Sequence, residues 1–278
     1  MAAPGNPTSR ITSLSNPKIK SIRKLKDRKE REQAGLFWIE GLRIVAEAIQ
    51  TGADLETLVI APELLTSAFG QELAQGQKER GVEVLEVSQE VFHSFSLKEG
   101  PQGIAGLVHQ RWEPLESLQP EGDWVALDSI ADPGNLGTIL RTNDAVSGAG
   151  LILLEHSTDP YDPTCVRASM GAIFSQRLVR ASFHDFAAWK LSRQVYLVGT
   201  SDKAARDYAE MDYPHPLVLL MGSERQGLSP EALDLCDQVV AVPMNGRSDS
   251  LNLAVATGVV LYQIYNQRRG RAWKETIT

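Results

Sequence analysis

Residues 128–143 read DSIADPGNLGTILRTN and follow the short apolar run WVAL at 124–127. The run has the pattern of a buried strand. Pro133, Gly134 and Asn135 then mark a turn from which a helix departs, with Asn135 as the predicted helix N-cap. Strand, turn and helix in this order form the unit from which parallel sheets are built, and such sheets bind ligands beyond the carboxyl ends of their strands. Arg141 falls one to two turns into the new helix.

Two later stretches share this grammar: LLMGSERQGLSPEAL (219–233) and VPMNGRSDSLNLAVATG (242–258). In the first of them, Gly222 lets another group approach the backbone closely, Glu224 follows, and Gly227 permits a second turn before Ser229-Pro230-Glu231 opens a helix. In the second, Ser250 is placed to cap the last helix. Asn252 is expected inside its apolar first turn, where a buried amide needs partners. Taken singly, each loop has a plain structural reading as a cap, a surface ion pair or a helix start.

Around these loops the pattern is regular. Strands are expected at 123–128, 150–155, 194–200, 216–222 and 238–243, with a long apolar helix over 251–269 closing the chain. Continuous apolar strands separated by helices predict a parallel sheet covered on both faces. Ahead of it, a basic helix over 17–33 leads into strands at 35–41, 57–61, 82–87 and 103–110, with helical segments at 43–52, 64–81 and 88–96. The expected organisation is a disordered tail over 1–16, a small α/β domain over 17–112, a linker rich in proline and acid over 113–122, and a second α/β domain over 123–278.

Several function classes are excluded by what is missing. There is no GxGxxG after a first strand, no GxxxxGK[ST] and no GxSxG, so the glycines do not form a standard nucleotide cradle or a hydrolase elbow. The two cysteines are far apart, and the five histidines are scattered without ligand spacing. No disulfide framework and no metal site are expected. The longest apolar segment, near 253–261, is too short to span a membrane, and the N-terminus lacks a signal-peptide core, which suits a cytoplasmic protein. Net charge is −7, but residues 1–33 carry a local excess of +6 and the remainder −13. The run KIKSIRKLKDRKER (18–31) reads either as a solvated helix face or as a basic arm that meets phosphates.

Taken together and in order, DSIADPGNLGTILRT, LLMGSERQG and VPMNGRSDSLNLAVA resemble the three motifs of the SpoU–TrmH branch of the SPOUT RNA methyltransferases. CVRASMGAIF (165–174) resembles a further segment of that family, and FWIEGLRIVAEAI (37–49) resembles the substrate-binding domain carried by members that act on ribosomal RNA. The resemblance implies an α/β fold whose C-terminal parallel sheet ends in a deep trefoil knot, preceded by a small α/β RNA-binding domain. It implies transfer of a methyl group from S-adenosylmethionine to a ribose 2′-hydroxyl in RNA, with ribosomal RNA ahead of transfer RNA, and a homodimer formed through the knot domain. A non-catalytic RNA-binding protein on the same scaffold is the reading from another class.

By the same resemblance the catalytic set is Asn135, Arg141, Glu224, Ser250 and Asn252, and cofactor contacts fall at Thr200, Gly222, Val242, Met244 and Leu251. RNA contacts are expected from Lys18, Lys20, Arg23, Lys24 and Arg28 in the basic arm and from Arg167 and Arg225 near the site. Arg141 has two readings, a base or a clamp on phosphate and developing oxyanion; a guanidinium stays protonated in proteins, which favours the clamp. Glu224 is expected to orient Arg141 or Asn135. Arg225 stands where the family has a small residue, and Asn143-Asp144 where it has a small apolar one.

Overall fold

The computed structural model describes residues 10–97, 99–119 and 121–277, with side chains through Gly270. Two compact units are present. One comprises the chain up to Gln110 together with Tyr161–Pro163, and the other Arg111–Pro160 together with the chain from Thr164.

In the first unit, α1 (Pro17–Lys24) and α2 (Arg28–Ala34) precede β1 (Leu36–Glu40), α3 (Leu42–Gln50), β2 (Leu55–Ile60), α4 (Ala68–Glu79), β3 (Glu83–Glu86), α5 (Gln89–His93) and β4 (Ile104–His109). The sheet runs β1-β4-β2-β3, with β4 antiparallel to both neighbours and β2 parallel to β3. Ile19, Ile22, Trp38, Val59, Phe92 and Phe95 build one apolar core beneath the helices.

The single basic helix expected over 17–33 is two helices. Asp27 interrupts it: its carboxylate accepts the Lys29 N–H at 2.8 Å and caps α2. Arg31 secures the break. Only 2% exposed, it donates through Nη1 to the Leu25 and Lys26 carbonyls, at 2.9 Å each, and pairs with Asp162 at 3.7 Å. The helix expected from residue 64 starts at Ala68, because the Ser67 hydroxyl accepts the Gly70 N–H as its cap. Of the tail expected over 1–16, residues 1–9 lie outside the described residues. From Arg10 the chain is tied down: Ile11 exchanges backbone hydrogen bonds with Glu86 and Ser88, and Arg10 pairs with Glu63.

The second unit continues with β5 (Trp124–Asp128), α6 (Pro133–Ala145), β6 (Gly150–Leu154), α7 (Pro163–Ala168), α8 (Ala172–Ser175), β7 (Arg177–Ala181), α9 (Phe183–Arg193), β8 (Leu197–Thr200), β9 (Arg206–Asp207), β10 (Val218–Met221), α10 (Pro230–Leu235), β11 (Gln238–Ala241) and α11 (Leu253–Ile277). Its seven strands are ordered β7-β6-β5-β10-β8-β11-β9, and every pairing is parallel. The five strands read from the sequence are all present. The edge strands β7 and β9 are additional. Within the stretch expected to link the domains, Glu113 bridges to Val179 beside β7, and Leu115 and Leu118 are buried in this unit's core.

The strand order positions the site. The chain builds outward from β5 to β7, crosses to β8 and the β9 edge, and then returns to insert β10 between β5 and β8. The carboxyl ends of β5, β10, β8 and β11 therefore lie in a row, and the three unusual loops leave from β5, β10 and β11. α6 and α11, which two of those loops feed, pack against each other.

Candidate active site

The first loop enters α6 at Asp132, not Asn135. The Asp132 carboxylate accepts the Asn135 N–H at 2.7 Å as the helix cap, and Pro133 takes the first helical position. This corrects the predicted cap, and the Asp-Pro pair was its signal in the sequence. With its cap role removed, the Asn135 side chain faces another loop and donates through Nδ2 to Glu224 Oε1 at 3.2 Å.

Glu224 sits in a tight turn after β10. Ser223 and Gly227 bridge across it, the Gly227 N–H donates to the Ser223 carbonyl at 3.0 Å, and Gly227 has φ +67°. Gly222 is required here because a Cβ on it would lie 2.1 Å from the Gly227 carbonyl carbon. The group that approaches Gly222 closely is thus its own loop. The Glu224 carboxylate also accepts the backbone N–H groups of Ala131 and Asp132, at 3.3 and 3.4 Å. Burial pushes this carboxyl up, but hydrogen bonds from its own backbone, Asn135, Ala131 and Asp132 outweigh that and hold it below the ordinary glutamate value. Of the two partners expected for it, Glu224 orients Asn135.

The third loop carries a second correction. Asn252, not Ser250, caps α11: its Oδ1 accepts from the Ala254 and Val255 N–H groups at 2.9 and 3.3 Å. Asn252 is exposed ahead of the helix rather than buried in its first turn. Its Nδ2 donates to Asn135 Oδ1 at 2.9 Å. Ser250 is exposed and has no hydrogen bond to other described residues. Of the predicted catalytic set, Asn135, Glu224 and Asn252 are joined. Arg141 is exposed on α6 and has no partner among the described residues.

Thr200 ends β8, Gly222 follows β10 and Val242 follows β11, so these three predicted cofactor contacts stand at neighbouring strand ends. The Thr200 hydroxyl lies 3.5 Å from the Met221 sulfur. Met244 and Leu251 are each 37% exposed. From Val242 to Leu251 no residue makes a backbone–backbone hydrogen bond among the described residues, so these peptide groups are open to water or to a ligand.

The predicted RNA contacts divide. Arg167 and Arg225 are exposed and have no partner among the described residues. In the first unit, Lys18 pairs with Glu83, Lys24 with Glu30 at 3.7 Å, and Arg28 with Glu32 at 3.0 Å. Arg23 donates to the Ser94 hydroxyl at 2.6 Å and the Leu14 carbonyl at 3.1 Å. Lys20 is exposed with no partner among the described residues. Asn143 is fully buried, and its Nδ2 donates to Gln176 Oε1 at 2.7 Å; it braces the unit away from solvent. Among the described residues no group of three His, Cys, Asp or Glu side chains could hold a metal ion. No helix among them is long and apolar enough to cross a membrane.

Comparison with known proteins agrees with this geometry. Residues 124–262 match the model of the SpoU rRNA methylase family, and residues 16–106 match the MRM3-like substrate-binding domain. The chain is 32% identical to the 23S rRNA (uridine(2479)-2′-O)-methyltransferase of Streptomyces viridochromogenes, covering 88% of this chain and 87% of the relative. It is 28% identical to the 23S rRNA (guanosine(2553)-2′-O)-methyltransferase RlmP of Bacillus subtilis, covering 91% and 98%. Among solved structures, the AdoMet-bound rRNA methyltransferase from Sinorhizobium meliloti is 39% identical with a TM-score of 0.84, covering 94% of this chain and 97% of that one. The three loops, their order along the sheet and these matches agree: the chain belongs to the SpoU rRNA methylase family.

Proposed function

We propose that this protein is an S-adenosylmethionine-dependent methyltransferase that methylates a ribose 2′-hydroxyl in ribosomal RNA. The observation that carries the reading is the joining of Asn135, Glu224 and Asn252 from three separate loops at the carboxyl ends of the sheet, with Arg141 on the same helix as Asn135 and without a side-chain partner among the described residues. The relatives named as 2′-O-methyltransferases of 23S rRNA support the substrate class. An RNA substrate of that kind puts the working enzyme in the cytoplasm.

The residues present fit the cofactor. Adenine and an amino-acid tail call for peptide donors and acceptors beside apolar side chains, and the Val242–Leu251 loop offers both. Thr200, Gly222, Val242, Met244 and Leu251 would hold it. When bound, S-adenosylmethionine supplies an electrophilic methyl group with a good leaving group already attached. The protein's task is then to align a ribose oxygen and ease the loss of its proton. Arg141 grips the phosphate beside the target ribose through its guanidinium fork. Arg167 and Arg225 extend that grip along the strand. Lys18, Lys20, Arg23, Lys24 and Arg28 supply phosphate contacts from the first unit, since exposed ion pairs are weak enough to exchange for phosphate. Ser250 contacts the substrate once it is bound.

The working form is a homodimer through the second unit. Val255 and Tyr262, seven residues apart on α11, are 51% and 46% exposed, and residues at that spacing share one helix face that a second copy covers. The return of β10 to a place between β5 and β8 supports a trefoil knot in this unit, which we infer from the family.

The test is methyl transfer from labelled S-adenosylmethionine into unmodified large rRNA, small rRNA, tRNA and assembled large subunits. Ribose methylation is read as resistance of one phosphodiester to alkaline cleavage. Label in one rRNA with a protected bond supports the reading. Label confined to tRNA, or cofactor binding without transfer to any RNA, overturns it.

A further inference from the structure

Glu224, Asn135 and Asn252 come from three loops, and their hydrogen bonds all run in one direction. Asn252 Oδ1 is committed to the Ala254 and Val255 N–H groups at the start of α11, which leaves its Nδ2 to face Asn135. Asn135 meets it with Oδ1 and turns its own Nδ2 to Glu224 Oε1. An ionised carboxylate only accepts, and this one also takes the Ala131 and Asp132 N–H groups. A helix start at one end and a carboxylate at the other impose the same polarity on both amides. Neither can flip without setting acceptor against acceptor. Each side-chain amide keeps one N–H that has no partner among the described residues.

We propose that Glu224 is a positioning residue: acting through Asn135, it fixes a one-way amide relay so that the site offers N–H donors, rather than carbonyl oxygens, to the reacting ribose 2′-oxygen. The proposal rests on the methyltransferase reading above and goes further by assigning direction. In the transfer, the bond from oxygen to methyl carbon forms as the bond from that carbon to sulfur breaks. The bond pair stays on sulfur, and the hydroxyl proton passes to water. Donors held at the 2′-oxygen stabilise it as that proton leaves. Glu224 already accepts three N–H donors, which favour its ionised form and suit it to anchor the relay.

Two variants separate direction from mere attachment. The double variant Asn135→Asp/Glu224→Gln exchanges the amide and the carboxylate between the two positions. The amide at position 224 then donates to the carboxylate at position 135 and keeps its oxygen for the Ala131 N–H, losing only the long contact to the Asp132 N–H. Asn252 still donates to the carboxylate at position 135, so the loops stay joined at the same net charge. The relay is reversed at that step, and the side chain at position 135 has no N–H to offer. In Asn252→Asp, the aspartate caps α11 as well as asparagine does but faces Asn135 with an acceptor. For both variants the expected result is a Tm within about 3 °C of wild type and a cofactor Kd, by calorimetry, within about threefold. kcat falls by roughly 100-fold or more, and KM for RNA changes by less than about threefold. Wild-type kcat in either variant overturns the relay, and so does a kcat loss that tracks loss of Tm or cofactor affinity in both. Failure of the wild-type enzyme to methylate any RNA removes the functional reading instead, which keeps the two outcomes apart.

Discussion

Gly222 and Gly227 stand back to back across the turn that carries Glu224, so close that a single added Cβ on Gly222 would sit 2.1 Å from the Gly227 carbonyl carbon and 2.4 Å from the Leu228 nitrogen. Both obstacles are backbone and cannot rotate away. Gly222→Ala is therefore expected to lower stability by about 2 kcal/mol, as overpacked sites do. It should also weaken cofactor binding at least tenfold by displacing the turn beside Thr200 and Val242. Chemical denaturation and calorimetry with S-adenosylmethionine measure the two effects.

Arg141 makes the opposite kind of prediction. It is exposed and has no partner among the described residues, so Arg141→Ala should change stability by no more than about 0.5 kcal/mol. Cofactor affinity should stay near wild type while methyl transfer falls at least about 100-fold. Arg141→Lys should not restore it, because an ammonium cannot reproduce a bidentate grip on phosphate. Turnover near wild type in the alanine variant would remove Arg141 from the reaction.

Much of this was legible in the sequence because the second unit follows local rules. Its five inner strands are continuous apolar runs, and each strand-end loop announces itself with glycine, proline and small polar residues. The edge strands were not legible: β9 is two residues long, and β7, Arg177–Ala181, carries an arginine at its start and another near its end. The caps were misread by a few residues for one reason. Asn135 and Ser250 both have the residue type of a cap, but only the folded loops decide that Asp132 and Asn252 cap the helices and that Asn135 faces Glu224. Arg31 was hidden in a basic run, because nothing in a string of lysines and arginines marks the one that is buried.

The Glu224 carboxyl is held below its ordinary value in the folded protein. A depressed carboxyl stabilises the fold above its unfolded pKa and loses that contribution as pH falls through the folded one. From about pH 8 to about pH 5 the stability difference between wild type and Glu224→Gln should therefore stay constant, and it should narrow only on acidification below about pH 4. Urea unfolding at a series of pH values follows it. A difference that closes near neutral pH would mean that the carboxyl is protonated in the folded site and could not anchor the relay.

The basic helices of the first unit hold two kinds of cation, and they should separate cleanly in experiment. Arg31 is buried and holds the Leu25 and Lys26 carbonyls. Arg31→Met should cost about 3 kcal/mol, since it leaves buried acceptors unpaired. Provided the fold is retained, the salt dependence of RNA binding should not move. Lys20 is exposed with no partner among the described residues. Lys20→Ala should leave stability unchanged yet reduce the slope of log K against log salt by about one, the change expected when one phosphate is no longer neutralised. Filter binding at several salt concentrations, paired with denaturation of the same variants, measures both. If Lys20→Ala binds RNA like wild type at every salt concentration, the exposed face of α1 is a solvated surface, and the phosphate contacts lie with Arg141, Arg167 and Arg225 in the second unit.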